Sequence, residues 1–264
     1  TESQKRDINF YFSISPGKDF NYTLDADFET LFKKIDRILE FGVNSVCLLL
    51  DDIDYKLSET DKKQFNTPGI AHSYICNKLN KHLQTKLENF NYVMCPTEYW
   101  QNYDTPYRKD LKENLDPNIT VFWTGYNTIA EYIPNHDGEN ALQYFGHELL
   151  LWDNYPVNDM NQDLLFMGPL KNRGNQLHQS HIGYVANPMI QWSLSKIPLL
   201  TMSEYMWSPE TYNAEKSYQK AISKFTKTEK MANAIKNLLE NFKYSLISYD
   251  TIPEIEQMIK QKNL

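Results

Sequence analysis

Asp51 and Asp52 stand side by side directly after Leu48, Leu49 and Leu50, at the end of the apolar run Val43–Leu50. If that run is a buried strand, two carboxylates surface together where it ends. Like charges that close are costly, so the pKa of one carboxyl is expected to rise, leaving a neutral acid beside an ionised partner. That division of labour suits cleavage of a glycosidic bond. A helix N-cap or part of a metal-ligand set would place the same residue types here. Adjacency also departs from the usual glycosidase pair, whose carboxyls sit on separate elements several ångströms apart. A nucleophile supplied by the substrate itself removes the need for that separation.

Other residues with chemical potential carry weaker signals. His178 and His181 are three positions apart in a polar stretch with no Glu or Cys in metal spacing, and read as a loop pair rather than a zinc site. Asn21-Tyr22-Thr23 and Asn118-Ile119-Thr120 fit the N-glycosylation pattern, which also arises by chance. Cys47, Cys76 and Cys95 lie in apolar or helical patterns, an odd number without CxxC spacing, and read as core residues. The sequence has no Gly-rich phosphate loop, G-x-S-x-G or H-E-x-x-H. No cofactor and no metal are implied.

The elements that must position the carboxylates can be inferred from periodicity. Short apolar runs at Asp7–Ser15, Val43–Leu50, Asn91–Cys95, Ile119–Thr124, Glu148–Trp152 and Ile182–Ala186 predict six strands. Between the first two, Phe28, Leu31, Phe32, Ile35, Ile38 and Leu39 recur at helical spacing, with Asp25 or Asp27 as N-cap and Gly42 as the C′ stop. Further helical patterns lie at Ile70–Leu87, Arg108–Leu115 and Asn127–Ile133. Strand alternating with helix implies a parallel sheet covered by helices. After Ala186 only helices are expected: around Ile190–Tyr205, one opened by Ser208, Pro209 and Glu210 as N-cap, N1 and N2, then Thr228–Tyr244 and Pro253–Lys262.

The residues just past the runs are alike in character. Ser15-Pro16-Gly17, Asp51-Asp52, Pro96-Thr97-Glu98-Tyr99, Gly125-Tyr126-Asn127, Asp153-Asn154-Tyr155-Pro156 and Asn187-Pro188 are polar or turn-forming. In a parallel barrel these ends meet on one face, where (β/α)8 enzymes build their sites. Loops are polar anyway, so the pattern alone does not separate a site from ordinary connections.

Composition bounds the alternatives. At 264 residues and 31.1 kDa, with 41% hydrophobic and 14% aromatic residues, the chain can bury a sizeable core, which excludes collagen, coiled coil and wholesale disorder. A net charge of −7 and a pI near 5.4 repel phosphate backbones, and no Lys/Arg run is interleaved with aromatics, so nucleic acid is not an expected partner. No stretch of about 18 apolar residues predicts a membrane span, and Thr1–Asp7 contains no apolar signal region.

Seven segments together carry a resemblance: Phe41–Ile53 (FGVNSVCLLLDDI), Cys95–Tyr99 (CPTEY), Phe122–Gly125 (FWTG), Trp152–Asp159 (WDNYPVND), Phe166–Leu170 (FMGPL), Gly183–Met189 (GYVANPM) and Tyr212–Ser217 (YNAEKS). In order and spacing the chain resembles the family 84 glycoside hydrolases, which include β-N-acetylglucosaminidases acting on O-linked N-acetylglucosamine and bacterial proteins named hyaluronidases. The resemblance runs from about residue 7 to about residue 225. It implies an α/β fold of (β/α)8 TIM-barrel type, and a carbohydrate substrate that contains N-acetylglucosamine.

The resemblance also implies roles. Asp51 would orient the acetamido N–H of the substrate while the acetamido oxygen attacks the anomeric carbon, and Asp52 would protonate the leaving oxygen and then activate water. Tyr99, Thr124, Trp152 and Asn154 match positions around the acetamido group, with Trp152 as an apolar wall for its methyl. Asp159 and Asn187 match positions that hydrogen-bond the sugar hydroxyls. On residue type alone, Tyr99 and Trp152 read as barrel filling, Asn154 and Asn187 as turn residues, and Asp159 as a cap.

One departure accompanies these matches. The first two strands of the family barrel carry a GFYG-like turn and a lysine in a KDDPYH-like segment, and neither occurs here. The expectation is therefore a barrel incomplete at its N-terminus, spanning residues 1–207 as the third to eighth strands, with a helical segment at 208–264. The missing strands would come from the N-terminal segment of the same polypeptide, or, if the chain is the product of a cut, from another chain. A carbohydrate-binding or adhesive protein on an incomplete, inactive barrel is the alternative to an enzyme. By the bacterial relatives, the expected location is secreted or cell-surface.

Overall fold

The computed structural model of the chain describes residues 2–226, 228–239, 242 and 247. Among these the elements run α1 (Glu2–Lys5), β1 (Tyr11–Ile14), α2 (Asp25–Leu39), β2 (Ser45–Leu49), α3 (Pro68–Lys86), β3 (Asn91–Cys95), α4 (Pro106–Asn114), β4 (Thr120–Trp123), α5 (Asn135–Phe145), β5 (Leu149–Pro156), β6 (His181–Asn187), α6 (Trp192–Trp207), α7 (Ala214–Lys224) and α8 (Glu229–Leu239). The strands form one sheet in the order β1-β2-β3-β4-β5-β6. The ladders from β1–β2 through β4–β5 are parallel, with Leu48 opposite Met94 and Leu49 opposite Cys95 between β2 and β3. A helix separates each successive pair up to β5. This sequential α/β order is that of an incomplete (β/α)8 barrel with helices after it.

Each strand lies on one of the six apolar runs. β2 is buried on both faces along Ser45–Leu48, as expected of a parallel strand covered by helices on one side and core on the other. Helices α3 and α4 start by the same device. Thr67 and Thr105 accept hydrogen bonds from Ile70 N (3.4 Å) and Arg108 N (3.1 Å), and each precedes a proline at N1.

The helix boundaries correct several sequence expectations. Neither Asp25 nor Asp27 caps α2; both lie inside its first turn, and the N-cap is Leu24, with no side-chain bond. The Asp27 carboxylate instead accepts Asn21 N at 2.8 Å. Gly42, at φ +79°, ends that helix region as expected, donating to Leu39 O at 2.8 Å.

Residues 127–133 are not helical, because the backbone of Ile133 is committed elsewhere: its N–H donates to Asn172 O (2.9 Å) and its carbonyl accepts Gly174 N (2.8 Å). The helix is α5, whose opening Asn135-His136-Asp137-Gly138 lacks an apolar stripe and so gave no periodic signal. Ser208-Pro209-Glu210 is a turn closed by Thr211 N to Ser208 O (3.3 Å), and the cap of α7 is Asn213, which accepts Lys216 N at 2.9 Å. The helix expected at Thr228–Tyr244 is α8, with Tyr244 outside the described residues, as is all of the one expected at Pro253–Lys262.

The chain divides into two compact units: Thr1–Trp123 with Glu139–Leu151 and Ser180–Gly183, and Thr124–Gly138 with Trp152–Gln179 and Tyr184–Leu264. The first unit buries Val46, Leu48 and Leu50 near β2, Ile35 on α2, and Leu79 and Leu83 on α3. The second is built on Tyr155, Phe166, Leu170, Met189, Met202 and Tyr218. Burying each such side chain contributes roughly 1.5–3 kcal/mol, so the strand ends stand on stiff supports. Cys47, Cys76 and Cys95 are buried core residues in no disulfide; burial pushes Cys47 up to about 11 and Cys76 to about 12, which keeps both as inert thiols. Among the described residues no helix is long and apolar enough to cross a membrane.

Candidate active site

In the first unit, the buried β2 carries the chain to Asp51 and Asp52. Leu50 extends the ladder by one rung, its N–H donating to Cys95 O at 2.9 Å, and is itself fully buried. The chain then turns: Ile53 N donates back to Leu50 O at 3.4 Å, and buried Ile53 anchors the far side. Asp51 is left half-buried and Asp52 exposed. Burial, and after it the neighbouring charge of Asp52, raises the Asp51 carboxyl above the ordinary carboxylate range, while backbone hydrogen bonds pull the other way. That rise comes chiefly from burial and favours the neutral form of Asp51. Tyr99 is half-buried in the loop after β3.

The second unit places four of its five candidates in one hydrogen-bonded neighbourhood. Trp152 and Asn154 are two apart on β5 and so share a face. Trp152 Nε1 donates to Asn154 Oδ1 at 3.0 Å, and Asn187 Nδ2, at the end of β6, donates to the same oxygen at 2.9 Å. Asn154 Nδ2 donates to Thr128 O at 2.6 Å, which ties it to the loop that Thr124 opens. Thr124 is buried, its hydroxyl donating to Asn127 O at 3.2 Å. Gly125 then takes φ +102°, where an added Cβ would stand 2.7 Å from the Ala130 Cβ. Glycine is required there on both counts.

Asp159 stands apart from this set. It is exposed, and its carboxylate accepts Met160 N at 2.9 Å in a turn that opens no helix, so it is not a helix cap. The neighbouring Asn158 is the buried residue, donating to Leu164 O (2.7 Å) and Gln191 Oε1 (2.9 Å) and accepting Ile190 N (3.2 Å).

Two further groups escaped the sequence reading. Asp153-Asn154-Tyr155-Pro156 is not a turn but the continuation of β5, and Asp153 points to the face opposite Trp152 and Asn154. There Arg173 meets it in a two-bond fork, Nε to Oδ2 at 2.7 Å and Nη2 to Oδ1 at 2.8 Å, and the Tyr184 hydroxyl donates to Oδ2 as well. The side chains are 1% and 2% exposed. Burial disfavours the Arg173 charge, but Asp153 and Tyr184 more than offset it, and the pKa rises. Glu98 is the second, accepting Tyr55 Oη (3.0 Å) and Thr105 Oγ1 (2.5 Å). Arg173 lies twenty residues from Asp153 in an irregular segment, and no periodicity marks such a pairing.

Among the described residues no group of three or more His, Cys, Asp or Glu side chains is placed to hold a metal ion. His178 lies in a one-turn helix, Leu177–Gln179, and His181 opens β6 with its ring stacked on Trp123 at 5.4 Å.

The chain as a whole is similar to known proteins. The sequence profile of the β-N-acetylglucosaminidase family matches residues 1–240. The protein O-GlcNAcases of Rattus norvegicus and Mus musculus are each 30% identical over 209 residues, covering 77% of this chain and 22% of theirs. A mutant of the Thermobaculum terrenum O-GlcNAc hydrolase superposes with a TM-score of 0.93 at 30% identity, over 99% of this chain and 57% of that one. The chain thus spans about a fifth of the length of the rodent relatives. With a profile match over most of its length, and with the strand order and strand-end residues its motifs imply, the chain belongs to the β-N-acetylglucosaminidase family, the family 84 glycoside hydrolases.

Proposed function

We propose that this chain carries the catalytic groups of a glycosidase that removes terminal β-linked N-acetylglucosamine with retention, through an oxazoline formed by the substrate itself. One observation carries the reading: the two carboxyls stand next to one another at the end of a single buried strand in a member of this family. A retaining enzyme with its own nucleophile needs carboxyls about 5–5.5 Å apart on either side of the anomeric carbon. Neighbours on one turn serve better on the same side, one at the acetamido group and one at the leaving oxygen.

In the first step the acetamido carbonyl oxygen bonds to C1 as the glycosidic C1–O bond breaks. Asp52, protonated, gives its proton to the departing oxygen. Asp51, ionised, accepts the acetamido N–H and offsets the positive charge that develops on the ring. Burial disfavours this ionised form of Asp51 while the site is empty, and the positive charge that develops beside it offsets that cost, because a charge pair interacts more strongly in low-dielectric surroundings than in water. In the second step Asp52 takes a proton from water as the water oxygen bonds to C1 and the oxazoline opens.

The Trp152 ring, held by its bond to Asn154, is the wall for the acetamido methyl; Asn187, Tyr99, Thr124 and Asp159 bind the sugar. The rodent relatives are named O-GlcNAcases, which favours O-linked N-acetylglucosamine as the substrate and an enzyme over a binding protein.

The test is a series of aryl N-acetylglucosaminides with mono-, di- and trifluorinated acetyl groups, assayed on the full-length protein. Each fluorine withdraws electrons from the attacking oxygen, so rates should fall stepwise. Unchanged rates, or a sugar esterified to an enzyme carboxylate, would show that the protein supplies its own nucleophile.

A further inference from the structure

The way β2 and β3 part company bears on how Asp51 and Asp52 are held. Leu49 is opposite Cys95, so in a continued parallel ladder the Leu50 carbonyl would accept the Thr97 amide N–H. It does not. The Thr97 amide donates to Tyr107 Oη at 3.2 Å, and the Thr97 hydroxyl takes the Leu50 carbonyl instead, at 2.7 Å. A side chain thus replaces the last backbone rung. The β3 chain can leave the sheet toward Tyr99 while the residue before Asp51 stays bonded. Tyr107 is fixed in turn by His72 Nδ1 at 2.8 Å, with both side chains buried.

The other end of the carboxylate turn is fastened to the next residue of the same loop. Tyr55, four positions beyond Asp51, donates through Oη to Glu98 Oε1 at 3.0 Å. Burial, then Glu98, pushes the Tyr55 hydroxyl up to about 12, so it remains a donor across the working pH range. Glu98 Oε2 accepts the hydroxyl of Thr105, the N-cap of α4, at 2.5 Å, which ties the carboxylate to a helix end. The Tyr55 ring also lies 5.7 Å from that of Tyr107. The segment from Leu50 to Tyr55 is therefore gripped at both ends by two consecutive residues, Thr97 and Glu98.

We infer that Thr97 and Glu98 are positioning residues that set the orientation of the Asp51–Asp52 turn, Thr97 through the Leu50 carbonyl and Glu98 through Tyr55. Their effect on turnover rests on the glycosidase function proposed for this chain; the grip on the turn does not. A carboxyl displaced by a fraction of an ångström loses the alignment on which proton transfer depends, while substrate bound through other residues is held as before.

The experiment uses the full-length protein with Thr97→Val, which keeps the shape and removes the hydroxyl, Thr97→Ser, which restores it, and Tyr55→Phe, which removes the Glu98 bond at a half-exposed ring. Two readouts are taken: kinetics on aryl N-acetylglucosaminides of poor and good leaving groups, and the ¹³C carboxyl titration of Asp51, which needs no substrate. Thr97→Val and Tyr55→Phe should each lower kcat about tenfold with KM within about twofold, and lower it more for the poor leaving group. In both variants the Asp51 titration should move down toward the ordinary carboxylate range as the turn loosens into water, and Thr97→Ser should match the wild type.

An Asp51 titration unmoved in both Thr97→Val and Tyr55→Phe would overturn the inference. So would equal losses of activity in Thr97→Val and Thr97→Ser that track their melting temperatures. If the wild type hydrolyses nothing but the Asp51 titration moves as stated, the glycosidase reading fails and the grip on the turn stands.

Discussion

Asn187 donates through Nδ2 to Asn154 Oδ1 at 2.9 Å, and that one oxygen also accepts Trp152 Nε1 at 3.0 Å. Two residues thirty-three positions apart, at the ends of β6 and β5, thereby share an acceptor with the indole beside them. The opposite corner of the Asn154 amide donates to Thr128 O at 2.6 Å, so the side chain has one workable orientation. The amide matters because it is donor on one side and acceptor on the other.

Replacing Asn154 with Asp keeps the shape and reverses that polarity at Thr128. A carboxylate oxygen would then face a carbonyl, and the variant should lose about 1–3 kcal/mol of stability in urea titration. Asn187→Ala, which removes one donor and leaves the acceptor with Trp152, should cost no more than about 1 kcal/mol. Equal costs for the two variants would show that the shared acceptor is not the organising group.

For the chemistry, Asp52→Asn should depress turnover by about 10²–10⁴ on substrates with poor leaving groups. An aryl substrate with a very acidic phenol needs little protonation and should be spared in the first step. Asp51→Asn should slow both kinds of substrate alike, since it disturbs the internal nucleophile rather than the leaving group. Equal losses for both leaving groups in Asp52→Asn would remove that residue from the acid role.

The Asp153–Arg173 pair makes a separate prediction about stability. Arg173→Met leaves the buried Asp153 carboxyl without its cationic partner, while the Tyr184 hydroxyl still donates to it. The expected cost is about 3–5 kcal/mol, read from the denaturant midpoint. Adding Asp153→Leu to Arg173→Met should recover most of it, because an apolar pair has no charge to desolvate. Failure of the double variant to recover would mean that the fork matters for its geometry, not for neutralising a buried charge.

His72 provides the pH dependence. Its ring is buried against Tyr107, and burial drops its pKa to about 4 from the ordinary value near 6.5. Between those values the unfolded chain binds a proton that the folded chain refuses, so stability rises with pH across this window and is lost on acidification from about pH 6.5 toward pH 4. The loss attributable to this residue is on the order of 3 kcal/mol. In His72→Gln, whose amide can still reach Tyr107, that loss should be absent, so the stability difference from wild type should change by that amount across the window. Parallel pH profiles for the two proteins would refute the assignment.

The apolar runs at Val43–Leu50, Asn91–Cys95 and Ile119–Thr124 determined their strands by themselves, because a strand buried on both faces must be apolar almost throughout. The same local reasoning located Asp51 and Asp52, since polar residues directly after such a run mark where the strand gives way to a loop. It failed where a local pattern was overruled at a distance. Residues 127–133 look helical, but Ile133 finds its partners in Asn172 and Gly174. Asp153 reads as a turn residue, but β5 runs on to Pro156, and Arg173 from twenty positions away pairs with the Asp153 carboxylate.

Tertiary structure also decided which polar residues act together. Nothing in the spacing of Leu50 and Thr97, or of Asn154 and Asn187, announces a hydrogen bond, because such bonds depend on strand register and on where a chain leaves a sheet. Periodicity reports only which face of an element is buried. The pairing of side chains across elements is fixed when the elements pack, and it is there that Thr97 comes to take the place of a backbone rung.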